Sequence, residues 1–216
     1  YGNIFSQKER DEILKANLSD LLFVLRELSP ANLCKAFVYL SSSSVGLPNQ
    51  TIYSRAKRAA EEVLIALLEK ENFPAIIARP FSVTGVGEQP AHLIPTLIRS
   101  CFTGDPVDLV LETTHDFIDV EDVVDGILSL VGRSAHGVFD LGSGKQYSNA
   151  EVLDIVQRLS GRKANIRIVD SMRPYDTENW LSSTQGVRES GWKPRKSLEK
   201  SISEMIDKYR EETVVE

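Results

Sequence analysis

Apolar residues in the first part of the chain follow two spacings, one typical of helices and the other typical of buried strands. In residues 9–29, isoleucine and leucine recur every three or four positions, as in an amphipathic helix, and Pro30 ends this pattern. The run 35–41 is rich in apolar and aromatic residues and breaks into four serines. A second helical pattern covers residues 53–71, and the continuous apolar run 74–80 predicts a strand that is covered on both faces. Strand, helix and strand in this order predict a parallel sheet with a right-handed crossover.

The same alternation continues to the end of the chain. Helices are predicted at 91–101, 122–131, 150–159 and 198–209, and strands are predicted at 108–111, 116–120, 138–141 and 165–169. No internal repeat is visible. We therefore expect an α/β fold throughout.

The composition argues against several classes of function. The chain has 216 residues, 42% of them hydrophobic, so it is long enough to bury a sizeable core. Its net charge of −6 is spread along the chain, which argues against binding to nucleic acid or to anionic lipid. No apolar run approaches the ~20 residues that a membrane-spanning helix needs, and no signal peptide is visible. We expect a cytoplasmic protein that contacts neither nucleic acid nor membrane.

The cysteines and histidines indicate neither a disulfide nor a metal site. Cys34 and Cys101 lie in apolar stretches without C-x-x-C spacing, so we expect buried, reduced thiols. The histidines, His92, His115 and His136, lack the spacing of metal ligands and have no paired cysteines nearby. No metal is therefore predicted.

The residues most informative about chemistry are a tyrosine and a lysine at the start of the second predicted helix. Tyr53 and Lys57 are four positions apart and share one helix face. An ammonium beside a phenol favours the phenolate, so we expect Tyr53 to act as a general base below its usual pKa of roughly 10. Ser42 lies at the end of the preceding strand. Its hydroxyl can hydrogen-bond the substrate oxygen from which Tyr53 would take a proton. Taken alone, Y-x-x-x-K is a weak motif, and a surface helix with Tyr53 packed at its edge is the simpler interpretation.

Further segments accompany this pair in a fixed order along nearly the whole chain. They are Asn17 in the first helix, S-S-S-S-V at 41–45, R-P-F-S-V-T-G at 79–85, H-D-F-I-D-V at 115–120, F-D-L-G-S-G at 139–144, R-P-Y-D at 173–176 and G-W-K-P at 191–194. Together with Y-S-R-A-K at 53–57, they make the chain resemble the extended short-chain dehydrogenase/reductases, the NAD-dependent epimerase/dehydratase family. The resemblance implies a Rossmann-like, doubly wound parallel sheet formed by 1–81 and 112–141, and a smaller substrate-binding lobe formed by 82–111 and 142–216.

The resemblance also implies roles for single residues. Ser42, Tyr53 and Lys57 would be catalytic, acting on a sugar hydroxyl while hydride moves to or from nicotinamide. Contacts to the cofactor, NAD with NADP as the other possibility, are implied for Asn17, Ser41, Tyr53, Lys57, Pro80 and Phe81. Contacts to a nucleotide-sugar substrate are implied for Ser42, Ser43, Ser82, His115, Arg173, Asp176 and Trp180. A homodimer is implied as well.

The chain departs from the family pattern in three respects. The strand and the G-x-x-G-x-x-G loop that hold the dinucleotide phosphates would precede residue 1, so the chain is expected to be a fragment, to need a second polypeptide, or to have lost cofactor binding. The pairs Gly85/Gly87 and Gly142/Gly144 lack the third glycine of such a loop. His115 stands where the family commonly has an Arg that pairs with the diphosphate, so a weaker diphosphate contact is expected. Ser82 stands where the family usually has Asn.

The reaction is narrowed by the residues that follow Ser42. Relatives that eliminate water place an Asp and a Glu there, whereas this chain has Ser43 and Ser44, whose hydroxyls do no acid/base work near neutral pH. Epimerisation of a nucleotide-linked sugar is therefore the first hypothesis. Reduction of a keto-sugar nucleotide or another carbonyl is the second, and a non-catalytic family member that binds a partner is the third.

Overall fold

Helices and strands alternate along the described chain, as the sequence predicts. The computed structural model describes residues 9–28, 34–48, 51–170, 180–189 and 191–213. Its elements, in chain order, are Arg10–Leu14 (α1), a π-helical turn Lys15–Ser19, Asp20–Leu28 (α2), Phe37–Leu40 (β1), a 3₁₀ turn Ser43–Gly46, Ile52–Glu71 (α3), Ala75–Pro80 (β2), Ser82–Thr84 (β3), Leu93–Thr103 (α4), Pro106–Leu109 (β4), Thr114–Asp119 (β5), Val120–Gly132 (α5), Gly137–Leu141 (β6), Gln146–Ser148 (β7), Asn149–Ser160 (α6), Asn165–Ile168 (β8), Gln185–Glu189 (α7) and Leu198–Thr213 (α8). The α/β prediction is confirmed.

Three of these elements, β3, β7 and α7, have no counterpart among the predicted ones. They are three to five residues long. A segment of that length is too short to show a helical or strand period in its apolar positions. The longer elements lie where the sequence predicts them, with ends that differ by a few residues.

The Cα positions divide the chain into two compact units. The first consists of Tyr1–Pro80, Gly126–Leu141 and Thr184–Trp192, and the second consists of Phe81–Asp125, Gly142–Ser183 and Lys193–Glu216. The predicted division placed 112–125 in the first unit, whereas β5 lies in the second because it pairs with β3 and β7. It also placed 184–192 in the second unit, whereas α7 packs against β6 in the first.

The first unit is built on a parallel sheet with strand order β1-β2-β6. The central strand β2 is fully buried from Ala75 to Ala78, which explains its continuous apolar run. Helix α3 connects β1 to β2 and packs against β2. The core of this unit contains Leu21, Leu25, Tyr39, Ala60, Leu64, Ala75 and Ile77. The parallel arrangement confirms the prediction made from the strand-helix-strand order.

The second unit contains three short strand pairings. Strand β5 pairs parallel to β3 and antiparallel to β7, and β4 pairs parallel to β8. Helices α4, α6 and α8 pack against one another over a second core. Helix α6 begins with a capping box, in which the Ser148 hydroxyl accepts from the Glu151 amide and the Glu151 carboxylate accepts from the Ser148 amide.

The described residues include no helix that is both long and apolar enough to cross a bilayer. They also include no group of three or more histidine, cysteine or acidic side chains arranged to hold a metal ion. Both cysteines are free thiols, with Cys101 buried and Cys34 only partly buried.

Candidate active site

The serine run lies where β1 ends, and its hydroxyls form a connected network. Ser42 has an extended backbone, and its hydroxyl accepts from the Ser44 amide at 3.2 Å, which caps the 3₁₀ turn. The Ser42 hydroxyl also donates to Ser44 Oγ at 2.9 Å, and Ser54 Oγ donates to the same oxygen at 3.0 Å. Ser44 and Ser54 are almost fully buried. The network therefore connects the side chain of Ser42, through Ser44, to Ser54 on the first turn of α3 and fixes its position.

Helix α3 places Tyr53 and Lys57 beside this serine. Thr51 caps the helix, since its hydroxyl accepts from the Ser54 amide at 3.2 Å. Tyr53 is hydrogen-bonded to Ser42 through its side chain, and the Lys57 ammonium lies 5.9 Å from the centroid of the Tyr53 ring. The ammonium donates to the Leu40 carbonyl at 2.6 Å. The structure thus brings Ser42, Tyr53 and Lys57 together, as the sequence predicts.

The protonation of this group differs from the sequence expectation. Burial raises the pKa of Tyr53, and the hydrogen bond with Ser42 offsets this only in part. Burial lowers the pKa of Lys57 to about 8, and the nearby Glu61 carboxylate acts in the opposite direction. The pKa of Tyr53 is therefore shifted in the direction opposite to the sequence expectation, because loss of water outweighs the hydrogen bond with Ser42. The phenol is held in its protonated form near neutral pH.

Three residues near this group were not predicted as part of the site. Glu61 is almost fully buried and binds the Arg79 guanidinium through two hydrogen bonds of 2.8 and 2.6 Å. Tyr39 lies on β1, with its ring centroid 4.7 Å from the Lys57 ammonium. Glu61 and Tyr39 could have been found from their spacing in the sequence. Glu61 follows Lys57 by one helical turn, and Tyr39 precedes Ser41 by two strand positions.

The other predicted cofactor residues of the first unit are largely buried. Asn17 lies in the π-helical turn, where its side-chain amide donates to the Ile13 carbonyl at 2.9 Å. Ser41 is buried, and its backbone amide donates to the Ala78 carbonyl at 2.7 Å. Pro80 is the last residue of β2. Of the residues predicted to bind substrate, Ser43 is also buried.

The second unit brings together three of the residues predicted to bind substrate. Ser82 Oγ lies 3.2 Å from Nδ1 of His115. The His115 ring lies 5.6 Å from the ring of Trp180 and 5.5 Å from that of Phe117. His115 is buried. The remaining two predicted residues, Arg173 and Asp176, lie outside the described residues, and Phe81 lies between β2 and β3.

An unpredicted carboxylate, that of Asp116, connects the segments around His115. It is fully buried and accepts five hydrogen bonds, from the amides and hydroxyls of Ser143 and Ser182 and from the amide of Gly144, at 2.5–3.1 Å. Two of these amides belong to the Gly142–Gly144 turn, so the turn binds an internal carboxylate rather than presenting its amides to a phosphate. The H-D-F-I-D-V motif contains this residue, but its spacing does not reveal the partners.

Comparison with known proteins indicates the family to which the chain belongs. Residues 4–142 match the NAD dependent epimerase/dehydratase family. UDP-glucose 4-epimerase of Lactobacillus helveticus is 26% identical over 218 residues, covering 83% of this chain and 64% of the epimerase. GDP-6-deoxy-D-mannose reductase of Pseudomonas aeruginosa is 24% identical over 235 residues, covering 92% of this chain and 75% of the reductase. The chain thus spans less than two thirds of the length of the epimerase.

A solved structure shows that the fold is Rossmann-like. The dTDP-glucose 4,6-dehydratase of Bacillus anthracis, in complex with NAD, superposes with a TM-score of 0.84 at 18% identity. The match covers 94% of this chain and 70% of that one. Because the family match extends over more than half of the chain, the protein belongs to the NAD-dependent epimerase/dehydratase family.

Proposed function

We propose that the protein catalyses a nicotinamide-dependent oxidoreduction of a nucleotide-linked sugar, of the epimerase type. In this reaction a sugar hydroxyl is oxidised to a ketone, and the ketone is reduced again from its other face. The observation that carries the proposal is the meeting of Ser42, Tyr53 and Lys57 in a chain of this family. The names of the similar epimerase, reductase and dehydratase support the substrate class.

The chemistry of the donors around Lys57 fits a nicotinamide nucleotide, NAD or NADP. An ammonium has three N–H donors, and in the part of the chain that the structure describes its hydrogen bond goes to the Leu40 carbonyl. Its further donors suit the hydroxyls of a ribose, and Pro80 and Phe81 are proposed to contact the nicotinamide end. Asn17 and Ser41 are nearly fully buried, so we propose that they support the elements on which Lys57 rests.

The chain's own part in the reaction is the movement of one proton. A bound nicotinamide, held by Lys57, Pro80 and Phe81, would supply the hydride acceptor and donor for the sugar carbon. Tyr53 first releases its phenol proton to solvent. Its phenolate oxygen then receives the proton of the sugar hydroxyl during oxidation and returns it to the keto oxygen during reduction. Ser42 holds the same substrate oxygen by a hydrogen bond. The Lys57 ammonium favours the phenolate while Tyr53 lacks its proton.

The residues around His115 are proposed to bind the nucleotide-sugar. Ser82 and His115 offer a hydroxyl and a ring nitrogen for polar groups, and Trp180 offers an aromatic face. Arg173 and Asp176 are assigned to the same role from the resemblance alone. Ser43 is assigned to substrate binding from the resemblance as well, and like His115 it is nearly fully buried. Neutral His lacks the bidentate fork of Arg, so we expect a weaker diphosphate contact at this position.

Reduction of a keto-sugar nucleotide is the second candidate, and a specific observation favours it. Burial keeps Tyr53 protonated near neutral pH, and a protonated phenol is the form that delivers a proton to a keto oxygen. The similarity to GDP-6-deoxy-D-mannose reductase, which covers 92% of this chain, supports the same candidate. A reductase would release its oxidised cofactor in each turnover, whereas an epimerase would retain it.

The decisive experiment incubates the full-length protein with NAD or NADPH and a panel of UDP-, GDP- and dTDP-linked sugars and keto-sugars. NMR of the products distinguishes epimerisation from reduction, and loss of absorbance at 340 nm reports reduction. We expect Tyr53→Phe to lower kcat/KM at least about 100-fold, since a positioned proton donor contributes about 10²–10⁴-fold. Tyr209→Phe, a change at a tyrosine that packs on Phe102, is the matched control. Turnover that survives Tyr53→Phe would contradict the role proposed for Tyr53. A wild-type protein that turns over no member of the panel would contradict both enzymatic candidates and leave a non-catalytic binding role.

A homodimer and a cytoplasmic location are further proposals that rest on the resemblance. Leu22 and Phe23 on α2 are exposed apolar side chains, which supports a helix face that is covered in an assembly. Light scattering of the full-length protein tests the dimer. A monomeric mass at micromolar concentration would contradict it.

A further inference from the structure

The partly buried ammonium of Lys57 is contacted by residues of two elements, strand β1 and its own helix α3. Its hydrogen bond goes to the Leu40 carbonyl at 2.6 Å. The ring centroid of Tyr39, one residue earlier on the same strand, lies 4.7 Å from the nitrogen, and the Tyr53 ring lies at 5.9 Å. A cation within about 6 Å of a ring centroid is attracted by the negative face of the ring, and this attraction grows when water is excluded. The shorter of the two ring contacts is the one made by Tyr39.

Tyr39 is itself fixed by a contact on its far end. Its hydroxyl donates to the backbone carbonyl of Asn17 at 3.2 Å, and its side chain is buried. Asn17 lies in the π-helical turn, a local widening of a helix that is frequent at functional sites. Burial raises the pKa of Tyr39, so its hydroxyl stays protonated and continues to donate. The ring therefore has one orientation, set by a helix turn on one side and by a strand on the other.

We propose that Tyr39 is a positioning residue for Lys57, with its ring face holding the ammonium and its hydroxyl anchoring the ring to the Asn17 carbonyl. The role of Lys57 in chemistry rests on the proposed function, but the contact between ring and ammonium does not. Leucine at position 39 would keep the site apolar while removing the favourable ring face. Burial of the ammonium would then have one compensating contact fewer.

The charged and titratable groups that face Lys57 set its protonation together. Tyr39 faces it from β1, and Tyr53 and Glu61 face it from its own helix α3. Arg79 of β2 acts through its ion pair with Glu61. Replacing Glu61 or Arg79 would change the formal charge around Lys57, whereas replacing Tyr39 with an apolar residue would not. A change of the Lys57 pKa on substitution of Tyr39 therefore reports the ring contact.

The test measures the pKa of Lys57 directly in the full-length protein. Reductive ¹³C-methylation of lysines followed by NMR titration gives each pKa, and the signal missing in Lys57→Arg identifies the residue. Starting from a pKa of about 8, we expect Tyr39→Leu to lower it by about one unit, as a desolvated ring contact implies. Tyr39→Phe, which keeps the ring, should leave it within a few tenths of a unit. Phe37→Leu removes a ring from the same strand that contacts Phe73, and should change nothing.

A second variant covers the case in which Tyr39→Leu does not fold. Phenylalanine bearing one to three ring fluorines at position 39 weakens the negative ring face with little change of shape, so the pKa of Lys57 should fall with each added fluorine. A pKa that stays constant along this series, or in a folded Tyr39→Leu protein, would overturn the proposal. If the pKa shifts but no sugar-nucleotide turns over, the positioning role stands and the proposed function fails. In an active protein, the limb of the pH profile that belongs to Lys57 should shift by the same amount.

Discussion

The ion pair of Glu61 and Arg79 allows the sharpest prediction about stability. The carboxylate is 2% exposed and the guanidinium side chain is 30% exposed, and two hydrogen bonds of 2.8 and 2.6 Å join them. Glu61 lies on the catalytic helix α3 and Arg79 lies on the central strand β2. The pair thus connects the helix that carries Tyr53 to the sheet. The perturbation is Arg79→Met, which keeps most of the side-chain volume and removes the charge.

The difference in exposure between Glu61 and Arg79 determines how much each substitution lowers the free energy of unfolding. Arg79→Met leaves the Glu61 carboxylate buried without its bidentate partner, and such a loss costs about 3–5 kcal/mol of the free energy of unfolding. Glu61→Gln leaves a guanidinium that still reaches water and keeps one acceptor, so its cost should be about 1 kcal/mol, that of one hydrogen bond. In the double variant Glu61→Leu/Arg79→Met no charge is left buried. It should therefore be more stable than Arg79→Met alone.

Urea unfolding at pH 7, followed by circular dichroism, measures all three variants against the wild type. Arg58→Met is the matched control, because Arg58 is an exposed arginine of α3 whose contact with Glu62 is 3.9 Å long. We expect the control to change the free energy of unfolding by less than about 1 kcal/mol. Equal losses for Arg79→Met and Glu61→Gln would refute the reasoning from burial. A double variant less stable than Arg79→Met would refute it as well.

Two further predictions concern Lys57 and the Gly142 turn. The pKa of Lys57 is about 8 in the folded protein and about 10.4 in an unfolded chain. Between these pH values the unfolded chain binds more protons than the folded protein. As pH rises through this window, the free energy of unfolding of the wild type should therefore increase by up to about 3 kcal/mol relative to that of Lys57→Met. A constant difference between the two proteins from pH 7 to 10 in urea unfolding would contradict this sign. Gly142→Ala would place a Cβ against Ser182 Oγ and 2.7 Å from the Asp116 carboxylate, so it should cost about 1–3 kcal/mol. Gly132→Ala, where a Cβ meets nothing within 4 Å, should be nearly neutral when both variants are compared by urea unfolding.

The sequence predicts the first unit better than the second, and the difference has a physical cause. Strand β2 is buried on both faces, so its apolar run is continuous and its neighbours follow from the chain order. Two strands of the second unit, β3 and β7, have only three residues each, and no periodic pattern predicts that β7 pairs antiparallel to β5. The Asp116 carboxylate binds Ser143 and Ser182, which lie 27 and 66 positions away in the sequence. Spacing along the chain therefore does not reveal these hydrogen bonds.

The resemblance to the family located the candidate site in the sequence, but it did not predict the electrostatics of the site. Ser42, Tyr53 and Lys57 meet because a strand end and a helix start are close in any such crossover. The protonation of Tyr53 depends on how much water the fold removes, and a motif carries no information on that quantity. The π-helical turn at Asn17 is hidden for a similar reason, since its apolar residues keep the spacing of an ordinary helix.

The burial that raises the pKa of Tyr53 also lowers that of Lys57, and these two effects act in one direction on the chemistry. A protonated phenol beside an ammonium of reduced pKa favours proton donation to a ketone over proton abstraction from a hydroxyl. An epimerase must perform both the oxidation and the reduction, whereas a reductase needs only the reduction. Near neutral pH we therefore expect kcat to be higher for reduction than for oxidation of the same sugar, with the difference narrowing as pH rises. Substituting Glu61, whose charge partly restores the ammonium, should then increase the imbalance.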